Sequence, residues 1–162
     1  MNFREKILSA ESLVPWRQRL RQSGQKLVAT NGVFDLLHVG HAAYLQAARN
    51  LGDALLVGVT CDDGVRELNK GPGRPLNSGE DRAALLAALE SVSAVYVFPE
   101  TTAMKFLETV QPDVYAKGGD YTMDTINQDE RRLMEQMGAK IVILPGIPGK
   151  STTGLVRRMK ET

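Results

Sequence analysis

The chain has 162 residues, of which 43% are hydrophobic and 24% are charged, and its formal net charge is +1. Because so small a net charge supplies no basic field, nucleic acid is not an expected partner. No apolar run reaches the roughly 18 residues that a membrane-spanning helix needs. The one cysteine, Cys61, excludes an internal disulfide and fits a reducing cytoplasm as a buried structural thiol. We therefore expect a cytoplasmic protein of one domain, residues 1–162, that does not act at a membrane.

Residues 1–26 predict a helical extension that packs on this domain. Pro15 fits the first turn of a short helix, Trp16, Leu20 and Leu13 fit its apolar face, and Gly24 fits its end. Three arginines are expected to form its solvated face: Arg17, Arg19 and Arg21. The extension carries no predicted chemistry.

Beyond the extension, predicted strands and helices alternate along the chain. The predicted strands are residues 26–30, 54–59, 94–98, 113–116 and 140–144. The predicted helices are residues 39–51, ended by Gly52, then 80–89, 102–110, 128–137 and 152–160. Strands alternating with helices of about ten residues predict an α/β fold, a doubly wound five-stranded parallel sheet with helices on both faces.

Both histidines of the chain, His38 and His41, lie where the first predicted strand leads into the following helix. A helix N-terminus attracts anions through its free N–H groups and its dipole, and side chains three positions apart share a helix face. Gly40 between them leaves room for a ligand near the backbone. A capping or surface role is the alternative for a single histidine, but a pair beside the Thr-Asn-Gly turn at residues 30–32 predicts a phosphate site.

Residues 69–77 predict a loop, because two glycines and two prolines in this segment exclude a helix. Lys70 and Arg74 suit a polyphosphate, the lysine as a mobile charge and the arginine as a bidentate fork. A solvated surface loop explains the composition equally well. The position favours a cationic lid, because the loop follows the second predicted strand, whose carboxyl end should neighbour that of the first.

Two further polar stretches follow the fourth and fifth predicted strands. Residues 117–121, Lys-Gly-Gly-Asp-Tyr, allow a close backbone approach, and Asp120 could accept a hydrogen bond from a sugar hydroxyl or a base amine. Gly-Gly-Asp is also an ordinary turn. Ser151, Thr152 and Thr153 precede the last helix, where an N-cap is the simplest interpretation and a second phosphate cradle is the functional one. All these stretches end strands on one side of the sheet, where such folds bind ligands.

Together these motifs resemble the nucleotidyltransferase superfamily with the HxGH signature, present here as His38-Val39-Gly40-His41. Within that superfamily the chain is most similar to the Rossmann-like adenylyltransferase domain that makes ADP-heptose for the lipopolysaccharide inner core. The family motifs TNG-FD-LH-GH, KG--RP-N, LPD---KGGDY and STT correspond to residues 30–41, 70–77, 111–121 and 151–153. The chain departs from the family at residues 60–62, where it has Thr-Cys-Asp and the family often has Asn-Ser-Asp.

The resemblance implies an adenylyl transfer from ATP to D-glycero-β-D-manno-heptose 1-phosphate, with pyrophosphate as the second product. The sugar phosphate would attack the α-phosphorus in line, so that positioning and charge neutralisation do most of the catalysis. The implied catalytic residues are His38, His41 and Lys70. The implied nucleotide-binding residues are Thr30, Asn31, Gly32, Val33, Phe34, His38, Gly40, His41, Arg74, Lys117, Gly118, Asp120, Ser151, Thr152 and Thr153. The implied contacts to the sugar phosphate are Asp35, Asp62, Lys70 and Asp120.

The expected cofactor is Mg²⁺, held by phosphate oxygens and water, with no protein ligand assigned. The expected partners are ATP and a sugar 1-phosphate. Because Met1 lies just before the transferase motifs, a separate sugar kinase would have to supply the sugar 1-phosphate. The sequence leaves open whether the chain forms a homo-oligomer.

Three alternatives remain at this point, one of which, a structural or scaffolding role, leaves the clustered motifs unexplained. A cytidylyltransferase acting on glycerol 3-phosphate, or a related alcohol phosphate, shares the HxGH signature and the late Ser-Thr-Thr. A non-catalytic nucleotide-binding module would bind a nucleotide without releasing pyrophosphate. Phosphate contacts do not separate ATP from CTP, since both carry the same triphosphate, so the choice of ATP rests on the resemblance.

Overall fold

The computed structural model describes residues 2–161. Its strands are β1 (Leu27–Gly32), β2 (Ala54–Thr60), β3 (Ala94–Phe98), β4 (Val114–Gly118) and β5 (Lys140–Leu144). They form one parallel sheet in the order β3-β2-β1-β4-β5. β1 is therefore the central strand, with Val28 opposite Leu55 of β2 on one side and Val114 of β4 on the other.

Seven α-helices connect and flank these strands within residues 2–161. They are α1 (Ala10–Gln22), α2 (Val39–Arg49), α3 (Asp62–Glu67), α4 (Gly79–Ala87), α5 (Met104–Val110), α6 (Gln128–Gln136) and α7 (Thr152–Lys160). A short 3₁₀ helix, Phe3–Lys6, precedes α1. No helix in the described part of the chain is long and apolar enough to cross a membrane.

Helices cover both faces of the sheet, and each face has its own apolar core. On one face, α2 and α4 contribute Leu45, Ala48 and Leu86, which pack over buried strand residues such as Leu55. On the other face the packing residues come from α1, α5 and α6: Leu13, Phe106, Leu107 and Met134. Every residue of β2 is buried, as its unbroken apolar run predicts. The predicted fold class is confirmed; the single-domain boundary, residues 1–162, stays a prediction.

The predicted N-terminal helix is wrong in two respects. It begins at Ala10, because Ser9 and Ser12 form a reciprocal capping box, so Pro15 lies inside the helix rather than in its first turn. Arg17 is not solvated: it is 4% exposed, and its guanidinium donates from Nε to Val110 O at 2.9 Å. Arg19 and Arg21 are exposed as predicted, and Gly24 follows the helix with a φ of 66°.

The sequence prediction also misses α3, whose six residues contain a single large apolar side chain, Val65. Its N-cap is Cys61, whose Sγ accepts a hydrogen bond from the Gly64 N–H at 3.3 Å. Cys61 is therefore a half-buried capping thiol rather than a fully buried one. A second misplaced boundary is the end of α2: the helix stops at Arg49 with Asn50 as its C-cap, not at Gly52.

Candidate active site

A cavity of about 690 Å³ lies at the carboxyl ends of the strands. The chain leaves β1 for β2 and β3 on one side and returns to β4 and β5 on the other, so the strand order reverses beside β1. In an open parallel sheet this reversal separates the flanking loops and creates a crevice for ligands. The cavity is lined by residues from the loops after all five strands.

The two histidines meet at the N-terminus of α2 and line the cavity. His38 is the N-cap, and its Nδ1 accepts a hydrogen bond from the Gly40 N–H at 3.1 Å. The Nδ1 of His41 accepts from the His38 backbone N–H at 3.4 Å, and the two ring centroids are 4.0 Å apart. Because each Nδ1 is an acceptor, each neutral ring carries its proton on Nε2.

Both imidazoles are neutral at neutral pH. Burial, with a smaller effect from His38, lowers the pKa of His41 to about 4, and burial together with the nearby Lys150 ammonium lowers the pKa of His38. Neither Nε2–H group has an acceptor within residues 2–161. The pair therefore supplies two uncharged donors to whatever occupies the cavity.

Gly40 is required by the ring of His38. A Cβ at this position would lie 2.8 Å from His38 Nδ1, closer than packed atoms allow. The neighbouring Phe34 has a φ of 52°, a region that non-glycine residues rarely adopt. Its ring packs on Gly32 and lies 5.5 Å from the His41 ring. These contacts fix the position of the histidine pair.

Thr30 is buried below the cavity rather than lining it. Its Oγ1 lies 2.6 Å from the hydroxyl of Tyr44, which donates to Ala116 O at 3.0 Å. Burial raises the pKa of Tyr44, so this hydroxyl stays protonated. Gly118 packs directly on the Tyr44 ring and has no room for a Cβ. Tyr44, which lines the cavity, thus braces α2 against β1 and β4.

A polar network from β1, β4 and α6 lies along the cavity. Tyr115 Oη is 2.7 Å from Asn31 Oδ1 and 2.5 Å from Glu130 Oε2. Lys117 Nζ donates to Asn31 Oδ1 at 3.2 Å and is 3.6 Å from Glu130 Oε2. Burial lowers the pKa of Lys117, an effect that Glu130 partly offsets and Lys70 reinforces. Tyr115 and Lys117 thus engage Oδ1 of Asn31, whereas its Nδ2 group has no acceptor within residues 2–161. Asn31 also lines the cavity.

Asp35 holds the second half of the cationic loop. Its buried carboxylate accepts from Arg74 Nε at 2.6 Å and from the backbone N–H groups of Leu76 and Asn77 at 2.9 Å. Burial alone would raise the pKa of Asp35, but these hydrogen bonds outweigh burial and hold the pKa below its ordinary value. The Asp35 carboxylate is thus engaged in anchoring the loop, and Arg74, which lines the cavity, is anchored there as an ion pair.

Lys70 lies in the other half of the same loop. It is exposed, lines the cavity and forms no hydrogen bond or ion pair within residues 2–161. Lys150 lines the cavity from the segment before α7, and its Cβ packs 3.5 Å from the position of a Cβ on Gly40. Both ammonium groups are therefore available to an anion.

The remaining predicted residues fall into two groups. Gly32, Val33, Gly118, Thr152 and Thr153 line the cavity. Ser151, Asp62 and Asp120 do not. Ser151 caps α7 by accepting from the Gly154 N–H at 3.0 Å. Asp62 accepts from Arg82 Nη2 at 2.6 Å, and Asp120 is exposed.

Sequence reasoning missed several cavity residues. Tyr44, Glu130 and Lys150 lie on or beside predicted helices without a motif of their own, and Thr101, Thr102 and Ala103 follow β3. The rule that ligands meet the carboxyl ends of strands could have found the segment after β3. No pattern in the sequence could have placed Glu130 beside Asn31.

No group of three or more His, Cys, Asp or Glu side chains in residues 2–161 could hold a metal ion. Most of the charged side chains that line the cavity are instead cations, which suit a polyphosphate: Lys70, Arg74, Lys117 and Lys150.

A parallel α/β sheet with paired neutral donors at a central helix N-terminus is suited to binding the phosphates of a nucleotide. The family model described as Cytidylyltransferase-like matches residues 29–158. The chain belongs to this cytidylyltransferase-like family and is a nucleotidyltransferase, as its HxGH signature predicted.

Two relatives sharpen the comparison. The D-beta-D-heptose 1-phosphate adenylyltransferase of Bordetella bronchiseptica is 45% identical over 159 residues, which cover 98% of this chain and 96% of the relative. The bifunctional protein HldE of Methylobacillus flagellatus is 43% identical over 155 residues, which cover 96% of this chain and 31% of the relative. The chain thus spans about a third of the length of the bifunctional relatives that it matches.

Solved structures agree with this assignment. The lipopolysaccharide core biosynthesis protein from Thermoplasma volcanium superposes with a TM-score of 0.64 at 30% identity, covering 76% of this chain and 98% of that protein. The pantoate-beta-alanine ligase of Francisella tularensis, with a TM-score of 0.59 at 14% identity, shares the fold alone.

Proposed function

We propose that this chain transfers an adenylyl group from ATP to D-glycero-β-D-manno-heptose 1-phosphate, giving ADP-heptose and pyrophosphate for lipopolysaccharide core synthesis. The observation that carries the proposal is the 45% identity, over nearly the whole of both chains, to a protein named D-beta-D-heptose 1-phosphate adenylyltransferase. The cavity supports it, because its donors suit a triphosphate and its volume of about 690 Å³ admits a nucleotide.

The site needs no enzyme nucleophile for this reaction. An oxygen of the sugar phosphate attacks the α-phosphorus in line, the bond from the α-phosphorus to the bridging oxygen breaks, and pyrophosphate leaves. In this proposal the Nε2–H groups of His38 and His41 donate to the phosphate oxygens where charge accumulates. As neutral donors fixed by backbone hydrogen bonds, they need no reorganisation during the reaction.

Cations complete the proposed phosphate site. Lys70 would neutralise charge on the α-phosphate and the leaving pyrophosphate, and the unpaired terminal groups of Arg74 would add to the field from the anchored half of the loop. The N-termini of α2 and α7 both face the cavity and contribute their dipoles. Mg²⁺ is expected with ATP and, bound to phosphate oxygens and water, would supply further charge neutralisation.

We propose that a kinase reaction, which transfers a phosphoryl group to a sugar hydroxyl, precedes this one in the supply of the sugar 1-phosphate. We place both reactions in the cytoplasm, where ATP is available. One observation favours a second candidate: the matching family model is described as Cytidylyltransferase-like. The second candidate is cytidylyl transfer from CTP to glycerol 3-phosphate or a related alcohol phosphate.

One experiment separates these candidates. Pyrophosphate release from ATP and from CTP is measured with the purified chain. Each nucleotide is combined with both anomers of the heptose 1-phosphate, with hexose 1-phosphates and with glycerol 3-phosphate. We expect kcat/KM to be highest for ATP with the β-heptose 1-phosphate, the pair that the similarity to the named adenylyltransferase favours. The ratio over CTP should be large, because hydrogen-bond mismatches at a base edge discriminate strongly. A preference for CTP with glycerol 3-phosphate would establish the second candidate. Nucleotide binding without pyrophosphate release from any pair would instead indicate a non-catalytic module.

A further inference from the structure

Glu130 is a buried carboxylate in a cavity whose other charged side chains are mostly cations. The residue is 4% exposed and lines the cavity from α6. Met134 of the same helix packs in the core on the face of the sheet opposite α2. Glu130 therefore reaches the ligand space from the side opposite the histidine pair.

The two carboxylate oxygens of Glu130 have different surroundings. Oε2 is held by the Tyr115 hydroxyl at 2.5 Å and by the Lys117 ammonium at 3.6 Å. Oε1 has no hydrogen-bond partner within residues 2–161. Among the described residues, the one buried side-chain nitrogen or oxygen without a hydrogen-bond partner is Arg17 Nη1. Oε1 is therefore accessible to solvent. Because Glu130 lines the cavity and is otherwise buried, Oε1 opens into the cavity.

The chemistry of Oε1 restricts what can meet it. A phosphate is repelled by a carboxylate, and the described residues contain no group of three or more His, Cys, Asp or Glu side chains in which Glu130 would join other protein ligands of a metal ion. The nearest cation, Lys117, is already paired on Oε2. An ionised carboxylate is an acceptor only, so the fitting group is an uncharged O–H or N–H donor.

We propose that Glu130 is a specificity-determining residue whose Oε1 accepts a hydrogen bond from a neutral donor of the bound substrate, a sugar hydroxyl or the exocyclic amine of the base. The proposal deepens the proposed function and rests on it for the identity of the substrates. Tyr115 and Lys117 orient the carboxylate by holding Oε2, and Asn31 completes the arrangement through its Oδ1.

The test compares the wild-type chain with Glu130→Gln, which keeps the shape but loses the charge and one acceptor. Each substrate is varied while the other is saturating. We expect the KM of one substrate to rise about tenfold or more, the loss typical of a hydrogen bond to a charged group. The KM of the other substrate and kcat should stay within about threefold.

Substrate analogues identify the donor. ATP is compared with purine riboside triphosphate, which lacks the 6-amine, and the heptose 1-phosphate is compared with its deoxy analogues. If the amine is the donor, the wild-type chain discriminates against the purine analogue and Glu130→Gln does not. If a hydroxyl is the donor, the same loss of discrimination appears with one deoxy sugar.

Controls separate this role from a structural one. Glu135→Gln alters an exposed carboxylate of the same helix and should leave every parameter unchanged. Glu130→Asp keeps the charge but withdraws the oxygen, so it should raise the same KM as Glu130→Gln and serves if the glutamine variant does not fold. A lowered melting temperature or kcat with both KM values unchanged would overturn the proposal, as would equal rises in both KM values.

The role of Glu130 can be tested independently of the proposed heptose substrate. The assay uses the nucleotide and sugar phosphate that the wild-type chain accepts best, so a failure of the heptose assignment leaves the Glu130 comparison intact. Calorimetric titration of each substrate alone repeats the comparison without turnover. Unchanged affinities in Glu130→Gln overturn the role of Glu130 whatever the reaction is.

Discussion

The sheet has a cavity at each end, and both have a volume of about 690 Å³. The one at the amino ends of β1, β4 and β5 also has arginines in its wall, but each of these donates to acceptors within the protein. Arg17 donates to Val110 O, Gln111 O and Asp113, and Arg21 donates to the Gln111 side chain at 2.7 Å. At the carboxyl ends, Lys70 and both histidine Nε2–H groups lack protein partners within residues 2–161. Cavity size therefore does not identify the site, whereas unpaired donors that converge on one space do.

The largest expected effect is on catalysis at the carboxyl end. His41→Ala should lower kcat by roughly 10² or more, because it removes a fixed donor to the developing charge. Pyrophosphate release measures this effect, and denaturant unfolding checks the fold. A folded His41→Ala chain with near-normal kcat would show that the pair is not catalytic.

His38 allows a matched control for stability. His38→Ala should also cost about 1 kcal/mol of unfolding free energy, since the ring is the N-cap of α2. His38→Asn restores a capping acceptor but not the Nε2–H donor. It should therefore unfold like the wild-type chain while remaining as slow as His38→Ala.

In the amino-end cavity, where the arginines donate to acceptors within the protein, a substitution should lower stability and leave catalysis unchanged. Arg17→Ala should lower the free energy of unfolding by about 3 kcal/mol, because it leaves two carbonyl oxygens and Asp113 without their charged donor. Its kcat and KM should match those of the wild-type chain. Arg19→Ala, a substitution of an exposed residue on the same helix, should change neither the free energy of unfolding nor the kinetic constants. A stable Arg17→Ala chain with an altered KM for ATP would make the amino-end cavity a binding site.

Within residues 69–77 the cationic loop contains one paired cation, Arg74, and one cation without a partner in residues 2–161, Lys70. Lys70→Ala should lower kcat/KM by about tenfold, the scale of one charge-assisted contact. As a lid, residues 69–73 should be cleaved by protease in the free chain and protected by ATP with Mg²⁺. Asp35→Asn should extend the cleavage toward Asn77 by weakening the anchor. Equal cleavage with and without saturating nucleotide would exclude a lid.

The smallest expected effect is on the pH dependence of stability. The folded pKa of His41, about 4, lies below its ordinary value of 6.5, so folding favours the neutral ring. The stabilising contribution is therefore complete above pH 6.5 and is lost as the pH falls toward about 4. Unfolding free energies across this window should decrease less in His41→Ala than in the wild-type chain. An NMR titration of His41 with a midpoint at or above 6.5 would contradict the assignment.

Local patterns were enough for most of the fold and for bringing both histidines, Lys70 and Arg74 to one cavity. The bounds of β3, β5 and α7 coincide with those expected from apolar runs and capping residues. Arg17 was misjudged because its position on α1 gives no sign of the α5 carbonyls that it reaches. Asp35 and Glu130 show the same limit: their partners lie in segments that only the tertiary packing brings near. Motifs identify groups that face a ligand, but they do not reveal which of them the protein itself engages.

The central place of β1 has a consequence for how such an enzyme can diversify. The histidine helix follows this strand, which is paired on both sides. Residues 99–103 and 145–151 instead follow β3 and β5, the outermost strands. Insertions or substitutions at these margins leave the pairing of the centre intact. Substitutions at these margins can thus reshape the cavity wall while the strand that positions the histidine helix keeps its pairing.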